Sequence, residues 1–168
     1  MPEIRRARDT DIPAILELIH ELAIYEKEPD AVKATAPQLR EALFGPEPAV
    51  FAHVAEVAGE VEGMALWFRS FSTWEGTHGI YLEDLYVRPG NRGRGLGTAL
   101  LRTLAHHALE RGYARVEWAV LNWNEPAIGF YRSLGAGPQE EWTTYRLAGD
   151  ALAAFGAAAA ADPAGAAQ

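Results

Sequence analysis

The amino-acid sequence predicts a single α/β domain. Three observations carry that expectation: two stretches keep the 3.6-residue apolar period of a helix, runs rich in β-branched and aromatic residues lie between them, and a strand–helix–strand unit spans 80–121. With 168 residues, 49% hydrophobic and 23% charged, the chain suits one compact core.

Residues 2–6 read as a short strand, after which Thr10 or Asp11 can cap a helix carrying Ile12, Ile15, Leu16, Ile19, Leu22 and Ala23 on one face and ending before Pro29. Thr35 and Pro37 open a second short helix, which Gly45-Pro46 stops. Phe51–Val57 and Val61–Phe71 read as strands joined in a hairpin at Ala58-Gly59-Glu60, followed by a polar loop at 72–79. Ile80–Val87 is the next strand, broken by Pro89-Gly90, and Thr98–Arg111 is a helix closed by Gly112. A further strand at Ala114–Leu121 then lies parallel to Ile80–Val87 through a right-handed crossover. Asn124 is placed to cap a helix over Glu125–Leu134, and Glu140–Leu147 reads as a last strand. From Ala148 the chain is mostly Ala and Gly, interrupted at Gly156, Pro163 and Gly165, so the expected organisation is a domain over 1–147 and a flexible tail over 148–168.

Composition excludes several classes. No run of eighteen apolar residues occurs, and Met-Pro-Glu-Ile-Arg-Arg lacks the apolar run of a leader, so a cytoplasmic protein with no membrane role is expected. The absence of cysteine excludes disulfides, a thiolate metal site and a cysteine nucleophile, and the five scattered histidines argue against a metal. A formal charge of −8 and a pI near 5.1 argue against nucleic acid. Residues 1–90 hold sixteen acids against eight Lys/Arg, which suits a cationic small partner or simply a solvated surface.

Between strand 80–87 and helix 98–111 stands Arg92-Gly93-Arg94-Gly95-Leu96-Gly97-Thr98. Its glycines let the backbone turn tightly and approach a ligand, and their N–H groups join the free amides of the helix start in a concave anion site. A Walker A loop requires a lysine after the glycines, and none follows here. A dinucleotide fingerprint requires Gly-x-Gly-x-x-Gly, whereas Gly93, Gly95 and Gly97 are spaced two and two.

Arg92-x-x-Gly95-x-Gly97 resembles the acyl-CoA-binding motif of the GNAT acetyltransferases, and Asn124-Glu125-Pro126-Ala127-Ile128-Gly129-Phe130-Tyr131 resembles that superfamily's second motif. The likeness covers residues 3–147. It implies the GNAT fold, a mixed and mostly antiparallel central sheet flanked by helices, with a parallel strand pair splayed around acetyl-CoA as the acetyl donor. Within the superfamily, Glu21-Leu22-Ala23-Ile24-Tyr25-Glu26, Tyr81-Leu82-Glu83-Asp84-Leu85-Tyr86-Val87 and Trp123-Asn124-Glu125-Pro126 are most similar to the diamine (spermidine/spermine) and thialysine N-acetyltransferases. That subgroup implies a homodimer. The segment Gly137–Glu141 is shorter than the corresponding loop of the diamine enzymes.

The resemblance implies a role for each site residue. Arg92, Gly93, Arg94, Gly95, Leu96, Gly97 and Thr98 bind the pyrophosphate, and Asn124 with Ala127 positions the pantetheine arm. Tyr131 serves the departing thiolate, although a bare tyrosine there would read as packing. Backbone N–H groups of Leu85, Tyr86 or Val87 offer donors for an oxyanion. Glu83 and Asp84 interrupt an otherwise apolar strand, and alternation sends them to opposite faces unless a bulge intervenes; Glu83 is the expected base. Tyr25, Glu26, Asp84, Trp118 and Glu141 complete the expected acceptor side. The expected activity is acetyl transfer to a small-molecule primary amine, a diamine first. The alternatives are thialysine or another amino acid, or an acetyl-CoA-binding module without turnover.

Overall fold

A computed structural model describes residues 1–161. They form β1 (Glu3–Arg6), α1 (Ile12–Tyr25), α2 (Ala36–Phe44), β2 (Phe51–Val57), β3 (Glu60–Ser72), β4 (Thr77–Val87), α3 (Leu96–Glu110), β5 (Val116–Glu117), α4 (Glu125–Ser133) and α5 (Gly149–Ala161). The chain divides into two compact units, residues 1–123 and 124–168.

The first unit holds a five-stranded sheet in the order β1-β2-β3-β4-β5, antiparallel except for the parallel pair β4 and β5. The mixed, mostly antiparallel sheet read from the sequence is therefore present. The β2–β3 connection is a two-residue turn with Ala58 at φ 52° and Gly59 at φ 85°, the left-handed pair whose twist matches a hairpin. Alternation along β2 sends Ala52 and Val54 to one face, where they pack with Ile12, Ile15 and Leu18 of α1 and Leu39 and Leu43 of α2. His53 points the other way, and its ring lies 6.5 Å from that of His107 on α3. Helices thus cover both faces of the sheet. At the start of α2, Thr35 accepts from the Gln38 amide while the Gln38 side chain accepts from the Thr35 amide, a reciprocal cap legible in the sequence.

Two interactions fix the frame around the site. Asp11, only 7% exposed, accepts from two nitrogens of Arg5 (2.7 and 3.0 Å) and from the Arg8 amide (2.7 Å), which ties the start of α1 to β1. Arg88, just past β4, contacts Glu17 (2.9 Å) and Glu21 (3.0 Å) of α1 and Glu62 (3.7 Å) of β3. This network holds the exposed side of α1 against the end of β4.

Two expectations are corrected. The strand expected over 114–121 is two residues long, pairing Val116 with Ile80 and Glu117 with Tyr81 before it leaves β4. No strand forms over Glu140–Leu147, where Trp142, Tyr145 and Leu147 are exposed at 67%, 93% and 51% and offer no buried face to a sheet. In the second unit, Gly149–Ala161 form a helix, in keeping with the helix propensity of alanine. The rest of the expected tail, 162–168, lies outside the described residues.

The brief β4–β5 pairing depends on close approach at Gly79, where an added Cβ would come within 2.9 Å of both the Arg115 carbonyl oxygen and Ser70 Oγ. Gly79→Ala should therefore push β5 off β4 and destabilise the fold by about 1–3 kcal/mol, read by urea denaturation. An unchanged midpoint would show that β5 yields without cost.

Candidate active site

The parting of β4 and β5 creates the site. Among the described residues the pairing of β5 with β4 stops at Tyr81, so the edge of β4 over Leu82–Val87 carries no ladder from β5. Leu85 and Val87 are half-buried and Tyr86 is buried among the α1 and α2 side chains. This is the strand edge from which the sequence reading expected oxyanion donors.

The phosphate cradle follows. Gly93 and Gly95 have φ of 75° and 80°, the left-handed region that glycine enters without steric cost. Gly95 is the N-cap of α3 and no side chain caps the helix, so the first-turn amides of Leu96, Gly97 and Thr98 are unused within the helix; its first internal bond runs from the Ala99 amide to Gly95 O at 2.9 Å. A Cβ at either glycine would meet nothing within 4 Å, so both open onto free space. Arg94 donates to Asn91 Oδ1 at 2.7 Å. Arg92 donates to Val87 O at 2.9 Å, with its guanidinium 5.2 Å from the Tyr25 ring and 5.4 Å from the Tyr86 ring. Exposed amides, a helix N-terminus and two arginines fit a pyrophosphate.

Asp84 is brought into play by a bulge. Leu66 pairs with Asp84 and Trp67 with Leu82, which leaves Glu83 as the extra residue. In a regular strand Leu82 and Asp84 would share a face. The insertion instead turns Asp84 to the face of Tyr86 and α1, while Leu82 stays on the Trp67 face. Glu83 itself is exposed. Of the two acids singled out in the sequence, the structure places Asp84, and not Glu83, in the cavity.

That cavity has a volume of about 530 Å³ and lies at the C-terminal end of α1. Leu22, Val32, Leu121 and Trp123 give it apolar walls, and its charged lining is Glu26, Lys27, Glu28 and Asp84. Burial pushes the Asp84 carboxyl up to about 6, helped by the charges of Glu83 and Glu26; burial also raises Glu26. The end of α1 shapes the rim. Glu28 N bonds to Ala23 O (2.9 Å) and Lys27 N to Ile24 O (3.1 Å), a Schellman closure that places Lys27, not glycine, in the left-handed position at φ 65°. A side chain there costs about 1–2 kcal/mol. The Lys27 ammonium lies 4.0 Å from the centroid of the Trp123 ring, and Tyr25 meets the same indole at 6.1 Å.

The remaining expected residues are distributed as follows. Tyr25 stands beside the cavity between Trp123 and Arg92, and Trp118 is half-buried just past β5. Asn124, Ala127, Tyr131 and Glu141 belong to the second unit. There Asn124 caps α4, its Oδ1 accepting from the Ala127 amide at 3.4 Å, and the half-buried Tyr131 packs beside Phe130 with ring centroids 5.5 Å apart. Glu141 is exposed in a segment without regular structure. Sequence reasoning missed Lys27 and Glu28 as cavity-lining residues, since nothing local distinguishes them from other surface charges. Trp123 was visible only as part of its motif. Among the described residues no group of His, Asp and Glu is arranged to hold a metal, and no helix is long and apolar enough to cross a membrane.

A glycine turn into a helix start, a parallel strand pair that stays paired over two residues and an acidic cavity suit an acyl-CoA-dependent transferase. The acetyltransferase (GNAT) family model matches residues 12–136, and the chain belongs to that family, whose members take their acetyl group from acetyl-CoA. It is 41% identical over 160 residues to a thialysine N-epsilon-acetyltransferase of Bos taurus, covering 89% of this chain and 94% of that one. It is 33% identical over 155 residues to a human spermidine/spermine N(1)-acetyltransferase-like protein 1, covering 86% of this chain and 22% of that protein. Among solved structures, an integron cassette protein from the mobile metagenome of V. cholerae superposes with a TM-score of 0.78 at 27% identity, covering 92% of this chain and 97% of that chain.

Two outcomes follow from the geometry. Coenzyme A at about 100 times its Kd should stabilise the protein by about 2.7 kcal/mol, and Gly95→Val should abolish that shift by filling the cradle; its own Tm without ligand reports the backbone strain separately. Equal stabilisation of the unsubstituted protein by ATP would remove the assignment. For Asp84, a carboxyl raised in the fold favours the folded state fully below its ordinary value of 3.8, and that contribution is lost as pH rises through about 6. Asp84→Asn should therefore match the parent near pH 4 and exceed its stability at pH 7, measured by urea denaturation at both values. A variant less stable than the parent at pH 7 would mean that Asp84 is paired rather than desolvated.

Proposed function

We propose that this acetyltransferase acts on the terminal primary amine of a small amino acid of the thialysine type, by direct attack on acetyl-CoA in a ternary complex. The observation that carries the reading is Asp84, a carboxylate poised near pH 6 in an apolar-walled cavity that also holds a cation. The 41% identity to a thialysine N-epsilon-acetyltransferase over nearly the whole of both chains supports the acceptor class. It moves a diamine, the first expectation from sequence, to second place. The diamine reading keeps one specific support, the 33% identity to the spermidine/spermine-type protein together with the three carboxylates of the cavity.

The mechanism assigns each step to residues of this chain. Acetyl-CoA supplies the thioester carbonyl that is attacked. Its pyrophosphate is held by the amides of 93–98 with Arg92 and Arg94, and Asn124 with Ala127 steadies the pantetheine arm. An alkyl ammonium with pKa about 10.4 is neutral at pH 7 only about 0.04% of the time, a cost of roughly 4–5 kcal/mol. Asp84, largely ionised at pH 7, accepts the proton, and apolar walls lower the cost by disfavouring the ammonium. Glu83, exposed at the bulge, was the base expected from sequence; Asp84 takes that role here. As the amine nitrogen bonds to carbon and the carbon–sulfur bond breaks, amides along the β5-side edge of β4 face the charge on oxygen, Tyr131, in the role the family resemblance gives it, protonates the departing thiolate, and the second proton shed by the nitrogen restores the phenol. Positioning of the two reactants supplies the remaining advantage. The working form is a homodimer.

Thiol release with an amine panel tests the reading. Thialysine should exceed spermidine and 1,3-diaminopropane by about tenfold or more in kcat/KM, and Tyr131→Phe should lower kcat by about 10²-fold while leaving coenzyme A affinity nearly unchanged. Preference for a diamine would install the second reading. No thiol release with any amine of the panel would leave an acetyl-CoA-binding module.

A further inference from the structure

The chemistry above uses the carboxylate of the cavity and leaves its cation without a task. Lys27 is the one cation among the described residues that line the cavity, beside Glu26, Glu28 and Asp84. Among those residues its ammonium makes no ion pair, despite these neighbours, and rests instead on the Trp123 ring at 4.0 Å. A cation held on an indole face keeps its N–H groups available to a ligand while its position is fixed. The backbone reinforces the point. Position 27 is left-handed, where glycine carries no steric penalty, yet a lysine stands there. An outlier of this kind at a cavity rim points to function.

Resting on the amino-acid reading, we infer that Lys27, braced on Trp123, binds the α-carboxylate of the acceptor and thereby selects amino acids over amines that lack one. An acidic cavity attracts any ammonium and repels any carboxylate, so an amino acid is admitted only if a cation offsets that repulsion at one end. Lys27 supplies it in a run, Glu26-Lys27-Glu28, that alternates in sign as an α-amino acid head group does. The carboxylate meets Lys27 and the α-ammonium meets Glu26 or Glu28. The side-chain amine is left for Asp84. A diamine gains nothing from Lys27 and meets a like charge there.

The test uses two acceptors that differ by one carboxylate: thialysine and bis(2-aminoethyl) sulfide, the same molecule without it. The unsubstituted enzyme should prefer thialysine by about tenfold or more in kcat/KM. Lys27→Gly should lower the thialysine value about 10- to 100-fold, mainly through KM, while the diamine changes by less than about threefold. Lys27→Arg should keep the preference. Glycine suits the left-handed backbone, so Lys27→Gly should retain or raise Tm, which separates loss of selectivity from loss of fold. If Lys27→Gly lowers both acceptors alike, or neither, the inference is overturned while the amino-acid reading stands. An unsubstituted enzyme that prefers the diamine overturns both.

Discussion

A single inserted residue in β4, next to a strand that leaves its partner early, is the constraint on which the site depends. Were β4 regular, Asp84 would lie on the Leu82 face, away from the cavity at the end of α1. Were β5 paired through residue 121, the edge amides of Leu82–Val87 would be consumed by a ladder and no gap would open beside the cradle. Both irregularities fall within seven residues of one strand. They convert a buried structural element into one that offers a carboxylate from one side and backbone donors from its edge.

The surrounding charges hold those two features in register. Arg88 ties Glu17 and Glu21 of α1 to the end of β4, so the cavity's α1 wall and its Asp84 are fixed to each other by a shared cation. Pairs this exposed contribute little individually, but three acids converging on one guanidinium form a network with defined geometry. Arg92 plays a comparable part between cradle and cavity, hydrogen-bonded to Val87 O and lying near the rings of Tyr25 and Tyr86. Positive charge and unused amides gather at the cradle, and carboxylates gather at the cavity. An anionic donor and a cationic acceptor amine are thereby sorted to neighbouring places.

Much of this was legible in the sequence, for identifiable reasons. The reciprocal Thr35–Gln38 cap, the Ala58-Gly59 turn and the apolar face of α1 are local signals, and each element appears where expected. The turn into α3 was readable because glycine spacing is a signature in itself, and Gly93 and Gly95 adopt left-handed backbone there. What failed depended on distant partners. Glu140–Leu147 has the composition of a strand but forms none, and β5 is cut short by a departure that no local residue encodes. Which of Glu83 and Asp84 lines the cavity turned on a one-residue shift of register against β3, and such a shift exchanges the faces of all that follow it. Lys27 was invisible because its meaning lies in a backbone conformation and in an indole ninety-six positions away.

Asp84 and Lys27 share a further property that bears on function. Each departs from what stability alone would select: a carboxylate desolvated until it titrates near 6, and a lysine in a conformation that glycine would adopt without strain. In a purely structural role, Asn at 84 and Gly at 27 would each relieve a cost. Two such departures across one cavity, in a unit whose other buried polar groups are well satisfied, mark the place where folding and chemistry compete. On the proposed mechanism the competition has the direction that amine acetylation requires. A carboxylate fully at ease in water would be too weak a base to take a proton from an ammonium, and desolvation raises its affinity for that proton while lowering that of the amine. On that mechanism the desolvation that raises Asp84 would also narrow the gap between the two pKa values.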